Sequence, residues 1–302
     1  MFSPEADGFY GAYYPCKTPS DHALIVMLGD SSDDYLAKTG VRWLHRRGYS
    51  CIAMSPAKAD YGHHNYPLER FGAAIAFLKA QGISKIGIIG ASTTAMLALI
   101  AASYYPEITL TLAFSPSDFV MEGFYRDGLD GATERPGDGE STVSWRGEPL
   151  PYLPFAYRHP EYWQMIQRET KGTGNLMCSR GLFDESERRH PVQEDERIKV
   201  ERVRGHIVLI GAEDDTLWDT CTYIRRMVER LESHSHECTY EALTYEFGTH
   251  FIFPESMLRM LLPAGSRFVL GRAFRSAKDH PVECQQARID IDRRLDQVLM
   301  RW

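Results

Sequence analysis

The chain has 302 residues, of which 43% are hydrophobic and 25% charged, as is usual for a globular protein with a full core. Its net charge of −7 argues against nucleic acid as a partner, because phosphate binding needs clustered Lys and Arg. No apolar run approaches the roughly 20 residues of a membrane span, and the start has no signal-peptide pattern. The six cysteines are scattered, so we expect reduced thiols and a cytoplasmic location.

Short apolar strands alternate with amphipathic helices along the first part of the chain. This alternation predicts an α/β fold, in which a mainly parallel sheet is covered by helices on both faces. The predicted elements are strands at 9–15, 22–28, 50–55 and 109–114, helices at 35–47 and 68–81, and a strand followed by a helix at 85–99.

The composition changes between about 117 and 204, where Gly, Pro, Arg, Trp and Tyr are common and the periodicity is weak. So long a break is not typical of a structureless loop inside a compact domain. We therefore predict a single domain over 1–302 with a cap inserted at about 117–204, over the carboxyl-terminal edge of the sheet. The core pattern then resumes, with a strand at 206–211, a helix at 220–231, a strand at 237–243 and helices near 255–262 and 281–302.

Ser92 lies where the apolar strand of residues 85–91 gives way to good helix formers. The small residues Gly90 and Ala91 precede it, as in a nucleophile elbow, where a sharp strand-to-helix turn exposes the serine. The usual pattern is G-x-S-x-G, and here Thr94 takes the place of the last glycine. A helix N-cap is the alternative role for Ser92.

A base and an acid follow the serine in the order expected for hydrolytic chemistry. Serine is a weak nucleophile, so it needs a base within hydrogen-bond reach and an acid that orients the base. The chain offers Ser92, then Asp214 or Asp215, then His250, each just after a predicted core strand. We favour Asp215 because its spacing to Trp218 lets the apolar residue close over the loop, while Asp214 would face solvent or cap the next helix.

Two backbone N–H groups should stabilise the oxyanion that forms during acyl transfer. One is expected from Thr93, directly after the nucleophile, and one from the loop after the strand at 22–28, where Asp30 or Ser31 is the candidate and Ser31 is preferred. The carboxylates of Asp30, Asp33 and Asp34 in that loop would oppose a developing negative charge unless they turn away.

Aromatic residues of the predicted cap are candidates for substrate binding, and they could equally form the cap's own small core. We select Trp145, Tyr152 and Trp163 as substrate-binding residues, and Phe155 and Tyr162 belong to the same group. No metal site is predicted, since His234, His236 and Cys238 lack a clear fourth ligand. This chemistry requires no cofactor.

Several segments resemble the carboxyl-terminal catalytic domain of the acyl-CoA thioesterase and bile-acid-CoA:amino-acid N-acyltransferase family, an α/β-hydrolase family. The resemblance covers most of the chain from about 22 to 262 and is carried by 65–71, 86–99, 141–152, 214–218 and 248–250. It implies an α/β-hydrolase fold and a bacterial-type member, since too few residues precede the first core strand for the amino-terminal domain of the mammalian enzymes.

The resemblance also implies a function. The expected reaction is cleavage of a small-molecule acyl thioester or carboxylic ester through an acyl-Ser92 intermediate. Family members that conjugate amines typically use cysteine, so Ser92 favours hydrolysis over acyl transfer to an amine or alcohol. Two departures favour a third interpretation, a binding protein with impaired catalysis: Gly29-Asp30-Ser31-Ser32-Asp33-Asp34 replaces a Gly-Gly-Ser-x-Gly-Gly loop, and Thr94 replaces glycine.

Overall fold

The strands of the central sheet are short apolar segments, as buried parallel strands require. The structure is a computed structural model that describes residues 1–18, 20–29, 32–54, 64–123, 140–158, 161–263 and 265–302. Its strands, in chain order, are β1 (Ala12–Tyr14), β2 (His22–Met27), β3 (Ser50–Ala53), β4 (Tyr66–Pro67), β5 (Lys85–Ala91), β6 (Ile108–Phe114), β7 (Val143–Trp145), β8 (Glu148–Pro149), β9 (His206–Ala212) and β10 (Thr239–Tyr245).

Seven of these strands form one sheet in the order β1-β3-β2-β5-β6-β9-β10. β1 pairs antiparallel with β3 at the edge, and the other neighbours pair in parallel. The predicted mainly parallel sheet is therefore confirmed. β4, β7 and β8 form a separate small sheet that the sequence pattern did not indicate.

Helices cover both faces of the large sheet. The α-helices of the described residues, in chain order, are α1 (Pro4–Asp7), α2 (Tyr35–His45), α3 (Glu69–Ala80), α4 (Thr93–Tyr104), α5 (Glu161–Thr170), α6 (Arg180–Arg189), α7 (Thr220–Ser233), α8 (Glu255–Leu261), α9 (Ser266–Ala273), α10 (Arg275–Asp279) and α11 (Pro281–Arg301).

Alternate residues of β2 divide the core into two layers, because successive side chains of a strand point to opposite faces. Leu24 and Val26 join one apolar cluster with side chains of α2, α8 and α11, while Ile25 and Met27 join another with side chains of α3, α4 and α7. Helices on both faces were predicted, and this prediction is confirmed. Within α11, Ile291 is buried and Ile289 is exposed, because residues two apart lie on opposite sides of a helix.

The carboxyl ends of four adjacent strands set the position of the candidate site. The register places Ala91 of β5 beside Phe114 of β6, and Ala212 of β9 beside Tyr245 of β10. The segments that follow β5, β6, β9 and β10 therefore emerge at one edge of the sheet, as in other open parallel sheets. Among the described helices, none is long and apolar enough to cross a bilayer.

Candidate active site

Ser92 sits at a sharp turn between β5 and α4. Its backbone has φ +61° and ψ −131°, a conformation that residues with side chains rarely adopt and that costs on the order of 1–3 kcal/mol. Its own N–H donates to the carbonyl of Phe114 at 2.8 Å, so the turn is tied to β6. Ser92 does not cap α4 through its side chain, in contrast to the alternative role considered for it.

Gly90 and Thr94 make this turn possible. A Cβ atom at Gly90 would lie 2.2 Å from the carbonyl oxygen of Thr94, so a larger residue there would push α4 away. The Thr94 hydroxyl accepts from the N–H of Ala91 at 3.1 Å and donates to the carbonyl of Met27 at the end of β2. Thr94 thus has a bracing role at the position where the usual motif has glycine.

The candidate oxyanion donors lie beside this turn. Thr93 is the first residue of α4, where a backbone N–H has no partner within the helix and the helix dipole favours negative charge. Asp30 and Ser31 lie outside the described residues. The Asp34 carboxylate accepts from the N–H of Ala37 at 2.7 Å. Asp34 therefore caps the start of α2, and its negative charge is directed to that helix end.

Asp215 and His250 are brought together from the ends of β9 and β10. His250 Nδ1 lies 2.8 Å from Asp215 Oδ2, and both residues are buried. Asp215 also accepts from the N–H of Leu217 at 2.8 Å and from the hydroxyl of Thr220 at 2.5 Å. These contacts fix the carboxylate so that it can hold the imidazole in one orientation.

The other ring nitrogen of His250 is buried and has no hydrogen-bond partner among the described residues. Ser92 and His250 are therefore not hydrogen-bonded, although such contacts often tighten only when substrate binds. Trp218 packs edge-on against the His250 ring, with 4.8 Å between centroids and an interplanar angle of 89°. The hydroxyl of Ser115 donates to the His250 carbonyl at 2.8 Å.

Asp214 does not occupy either of the positions expected for it. It neither faces solvent freely nor caps α7, a role that Asp219 fills by accepting from the N–H of Thr222. Its Oδ1 accepts from the N–H groups of Gly248 and Thr249 at 2.9 and 2.8 Å. Burial raises the pKa of Asp214, and these donors partly oppose that rise. Asp214 therefore binds the loop that carries His250, because adjacent residues of the turn point in different directions.

A cavity of about 220 Å³ contains Ser92 and Thr93 in its wall. The remaining described lining residues are Met121, Phe155, Tyr162, Trp163, Ile166, Met177, Ser179, Leu182, Phe183, Leu217 and Trp218, so no charged side chain lies among them. Most of these residues come from the segment 117–204, including α5 and α6.

Of the three aromatic residues predicted to bind substrate, Trp163 lines this cavity. Trp145 instead packs edge-on against Tyr104, 5.1 Å between centroids, at the far end of α4. That end is about 17 Å from the serine turn, given the rise of an α-helix. Tyr152 packs against the apolar cluster that contains Ile25 and Met27, and it is not among the described residues that line the cavity.

Several contacts of the site carried no sequence signal. Ser115, Thr220 and the N–H of Leu217 contribute through backbone geometry and distant packing, which no local pattern encodes. The sequence predicts Trp218 only as an apolar residue that closes over the acid loop, whereas the structure places its ring against His250. No cluster of three or more potential metal ligands occurs among the described residues.

The chain is similar to one protein family and to several solved structures. Residues 66–257 match the family described as BAAT / Acyl-CoA thioester hydrolase C terminal. No curated protein matches the chain. An esterase of Pyrococcus furiosus is 15% identical, with 100% of this chain and 96% of that chain covered and a TM-score of 0.49. The esterase domain of a Rhodothermus marinus protein is 15% identical, with coverages of 86% and 90% and a TM-score of 0.43. Acetyl xylan esterase 1 of Thermoanaerobacterium is 11% identical, with coverages of 83% and 78% and a TM-score of 0.45.

Proposed function

The chain belongs to the BAAT / acyl-CoA thioester hydrolase C-terminal family, and from that premise we propose that it cleaves an acyl thioester or carboxylic ester through an acyl-Ser92 intermediate. At the coarser level it is an α/β hydrolase of the esterase and thioesterase type. In the proposal Ser92 is the nucleophile, His250 the general base and acid, and Asp215 the orienting acid.

One observation carries this proposal. The buried Asp215–His250 pair uses Nδ1 of the imidazole. The other ring nitrogen, Nε2, has no hydrogen-bond partner among the described residues, and His250 lies at the strand edge that also carries Ser92. A neutral imidazole that donates through Nδ1 presents a lone pair at Nε2, which is the atom a general base needs.

The reaction proceeds in two halves. Ser92 Oγ attacks the substrate carbonyl and its proton passes to His250 Nε2, while the carboxylate of Asp215 stabilises the imidazolium. The N–H of Thr93, with a second donor from the loop around Ser31, stabilises the tetrahedral oxyanion. The carbon–sulfur or carbon–oxygen bond then breaks, and the leaving group takes the proton from His250. Water, deprotonated by His250, hydrolyses the acyl-Ser92 ester and restores the serine.

The cavity favours an uncharged, apolar acyl group. Its described walls are thioether, aliphatic and aromatic side chains with a few hydroxyls, so a charged acyl group would lose its hydration without gaining a partner. We propose that the acyl chain lies against Trp163 and its neighbours in the segment 117–204, which acts as a cap over the strand ends. A small-molecule ester or thioester is accordingly the proposed substrate.

The test is a panel of acyl-CoAs and simple esters, assayed with the wild-type chain and three variants. Ser92→Ala should abolish turnover, and Asp215→Asn should lower it by about 10⁴-fold, as removal of an orienting acid does. Ser103→Ala is the matched control, because Ser103 lies at the other end of α4, where its hydroxyl donates to the helix backbone at Ile100 and has no other hydrogen-bond partner within the described residues.

A fluorophosphonate probe gives an independent measurement. It should label the wild-type chain and Ser103→Ala but not Ser92→Ala. Turnover that survives in Ser92→Ala would overturn the proposal, and absence of labelling in the wild-type chain would favour the binding-protein interpretation. Product analysis with added amines and alcohols separates hydrolysis from acyl transfer.

A further inference from the structure

The Asp214 carboxylate makes a set of contacts that the proposed triad does not use. One oxygen, Oδ1, accepts from two consecutive backbone N–H groups, those of Gly248 at 2.9 Å and Thr249 at 2.8 Å. The other oxygen, Oδ2, accepts from the hydroxyl of Ser276 in α10. The half-buried carboxylate thus joins the acid loop, the histidine loop and a helix near the end of the chain.

The two N–H groups belong to the residues directly before His250, where the backbone is strained. Thr249 has φ +63°, in the left-handed region that a β-branched residue seldom adopts. It is 1% exposed, so the conformation is enclosed by the surrounding structure. A strained backbone conformation persists only when contacts with the surrounding structure hold it in place. The hydrogen bond from the Thr249 N–H to Asp214 is a contact of that kind.

His250 is also held from two other directions. Ser115 donates to its carbonyl oxygen at 2.8 Å, and Asp215 accepts from its ring at 2.8 Å. Asp214 binds the backbone N–H of Thr249, the residue directly before His250. The backbone conformation at Thr249 sets the direction in which the Cα–Cβ bond of His250 points. The loop is further enclosed by Phe247, whose ring stacks on His280 with 3.9 Å between centroids.

We propose that Asp214 is a positioning residue for His250: by binding the Gly248 and Thr249 N–H groups and Ser276, it holds the left-handed backbone that aims the imidazole at Ser92. This inference rests on the proposed function, in which His250 is the base. The two neighbouring aspartates then have separate roles, since Asp215 orients the ring and Asp214 orients the loop.

The experiment compares Asp214→Ala, Asp214→Asn and Ser276→Ala with the wild-type chain. Asn keeps one oxygen for the two N–H groups and can donate its amide to Ser276, so it should rescue what Ala loses. Asp214→Ala should lower kcat by about 100-fold with KM nearly unchanged, as expected for a misplaced base. Asp214→Asn should stay within a few-fold of wild type, and Ser276→Ala should lie between the two.

Asp219→Ala is the matched control for a damaged acid loop. Asp219 lies on the same loop and caps α7, and it makes no contact with the histidine loop in the described structure. We expect this variant to lose some stability while kcat is retained.

A second measurement does not depend on turnover. The proton between His250 Nδ1 and Asp215 should give a downfield resonance in the proton NMR spectrum of the wild-type chain and of Asp214→Asn. We expect the resonance to broaden or disappear in Asp214→Ala and to persist in Asp219→Ala. Wild-type kcat and an unchanged resonance in Asp214→Ala would overturn the positioning role. If the wild-type chain hydrolysed nothing but the resonance still depended on Asp214, the proposed function would fail and the positioning role would stand.

Discussion

Two residues beside the candidate site, Ser92 and Thr249, hold backbone conformations that side chains normally disfavour. Their φ angles are +61° and +63°, each costing on the order of 1–3 kcal/mol. The contacts that hold them are different: Gly90 and Thr94 enclose the turn at Ser92, whereas Asp214 binds the backbone at Thr249. The strained geometry therefore depends on neighbours that perform no chemistry themselves.

Thr94 offers a test of this dependence. Thr94→Gly restores the common elbow motif but removes the hydroxyl that bonds Ala91 and Met27, and it places glycine in a helix. We expect the free energy of unfolding to fall by about 2 kcal/mol, mainly from the two lost hydrogen bonds, because threonine and glycine differ in helix propensity by only a few tenths of a kcal/mol. Thr94→Ser keeps the hydroxyl and should lose less than half as much.

Urea denaturation of the three proteins measures these differences, and the rate of fluorophosphonate labelling reports whether the turn keeps its shape. If Thr94→Gly were as stable as the wild-type chain and reacted equally fast, the hydrogen bonds of the Thr94 hydroxyl would not stabilise the turn at Ser92.

The residues of the proposed triad could be located from the sequence because each follows a buried strand, and parallel strands end at one edge. The choice of Asp215 over Asp214 depended on its spacing to Trp218, which packs on His250. Ser115 could not be found in this way. Its φ of +48° and its bond to the His250 carbonyl depend on a loop more than a hundred residues later in the chain.

Among the elements, α8 and α11 are joined by a buried ion pair. Arg288 of α11 donates to Glu255 at the start of α8 at 2.9 Å, and the two residues are 1% and 4% exposed. Burial would raise the pKa of Glu255, but hydrogen bonds from Arg288, Gln285 and Arg259 lower it below 4.5. Arg288 makes the largest of the contributions that lower this pKa, so it is the main partner of the buried carboxylate.

Arg288→Met should destabilise the protein by about 3–5 kcal/mol, because it leaves a buried carboxylate without its main partner. The double variant Glu255→Leu with Arg288→Met should recover most of that loss, since an apolar pair can replace a buried ion pair. Because the folded-state pKa of Glu255 is lowered, its stabilising contribution is present above pH 4.5 and is lost as the pH falls through the folded pKa. The difference in free energy of unfolding between wild type and Arg288→Met should therefore become smaller at acid pH.

Thermal or urea unfolding at neutral and acid pH measures both effects. A double variant that remained as unstable as the single variant would indicate that Arg288 acts through packing of its aliphatic stem.

Elements with a clear period were predictable to within one or two residues at many of their ends, as for α2, α3 and β5. The small sheet of β4, β7 and β8 was not, because strands of two or three residues are too short to show alternation. It also determines where Trp145 lies, which explains why an aromatic residue of the predicted cap ended far from Ser92.

For the molecule as a whole, a charge network around the buried Asp118 joins the inserted segment to α7. Asp118 follows β6 closely and is 3% exposed; Arg197 contacts it at 2.7 Å and Arg226 of α7 lies 3.6 Å away. Arg226 in turn contacts Glu187 of α6 at 2.6 Å. One oxygen of Asp118 has no hydrogen-bond partner among the described residues. Asp118 therefore bears the desolvation cost of the link between the insertion and α7.

The pH dependence of stability should reveal that cost. Burial raises the pKa of Asp118 from 3.8 to about 6, despite the opposing effect of Arg226 and Arg197. Since the folded state binds this proton more tightly than the unfolded chain, ionisation of Asp118 destabilises the fold as the pH rises from about 4 to about 6, and the penalty is constant above that. A shift of this size corresponds to about 3 kcal/mol.

Asp118→Asn removes this titration and leaves the others in place, so the difference between the two proteins isolates one group. The free energy of unfolding of wild type minus that of Asp118→Asn should decrease by about 3 kcal/mol between pH 4 and pH 7, with most of the change below pH 6. Urea unfolding at half-unit pH steps measures the curve. A difference that increased with pH would mean that Arg197 and Arg226 outweigh burial, so that the network stabilises the ionised carboxylate and holds the insertion by charge attraction. A decrease instead means that burial outweighs Arg197 and Arg226, so that the ionised Asp118 lowers the stability of the fold and is tolerated there.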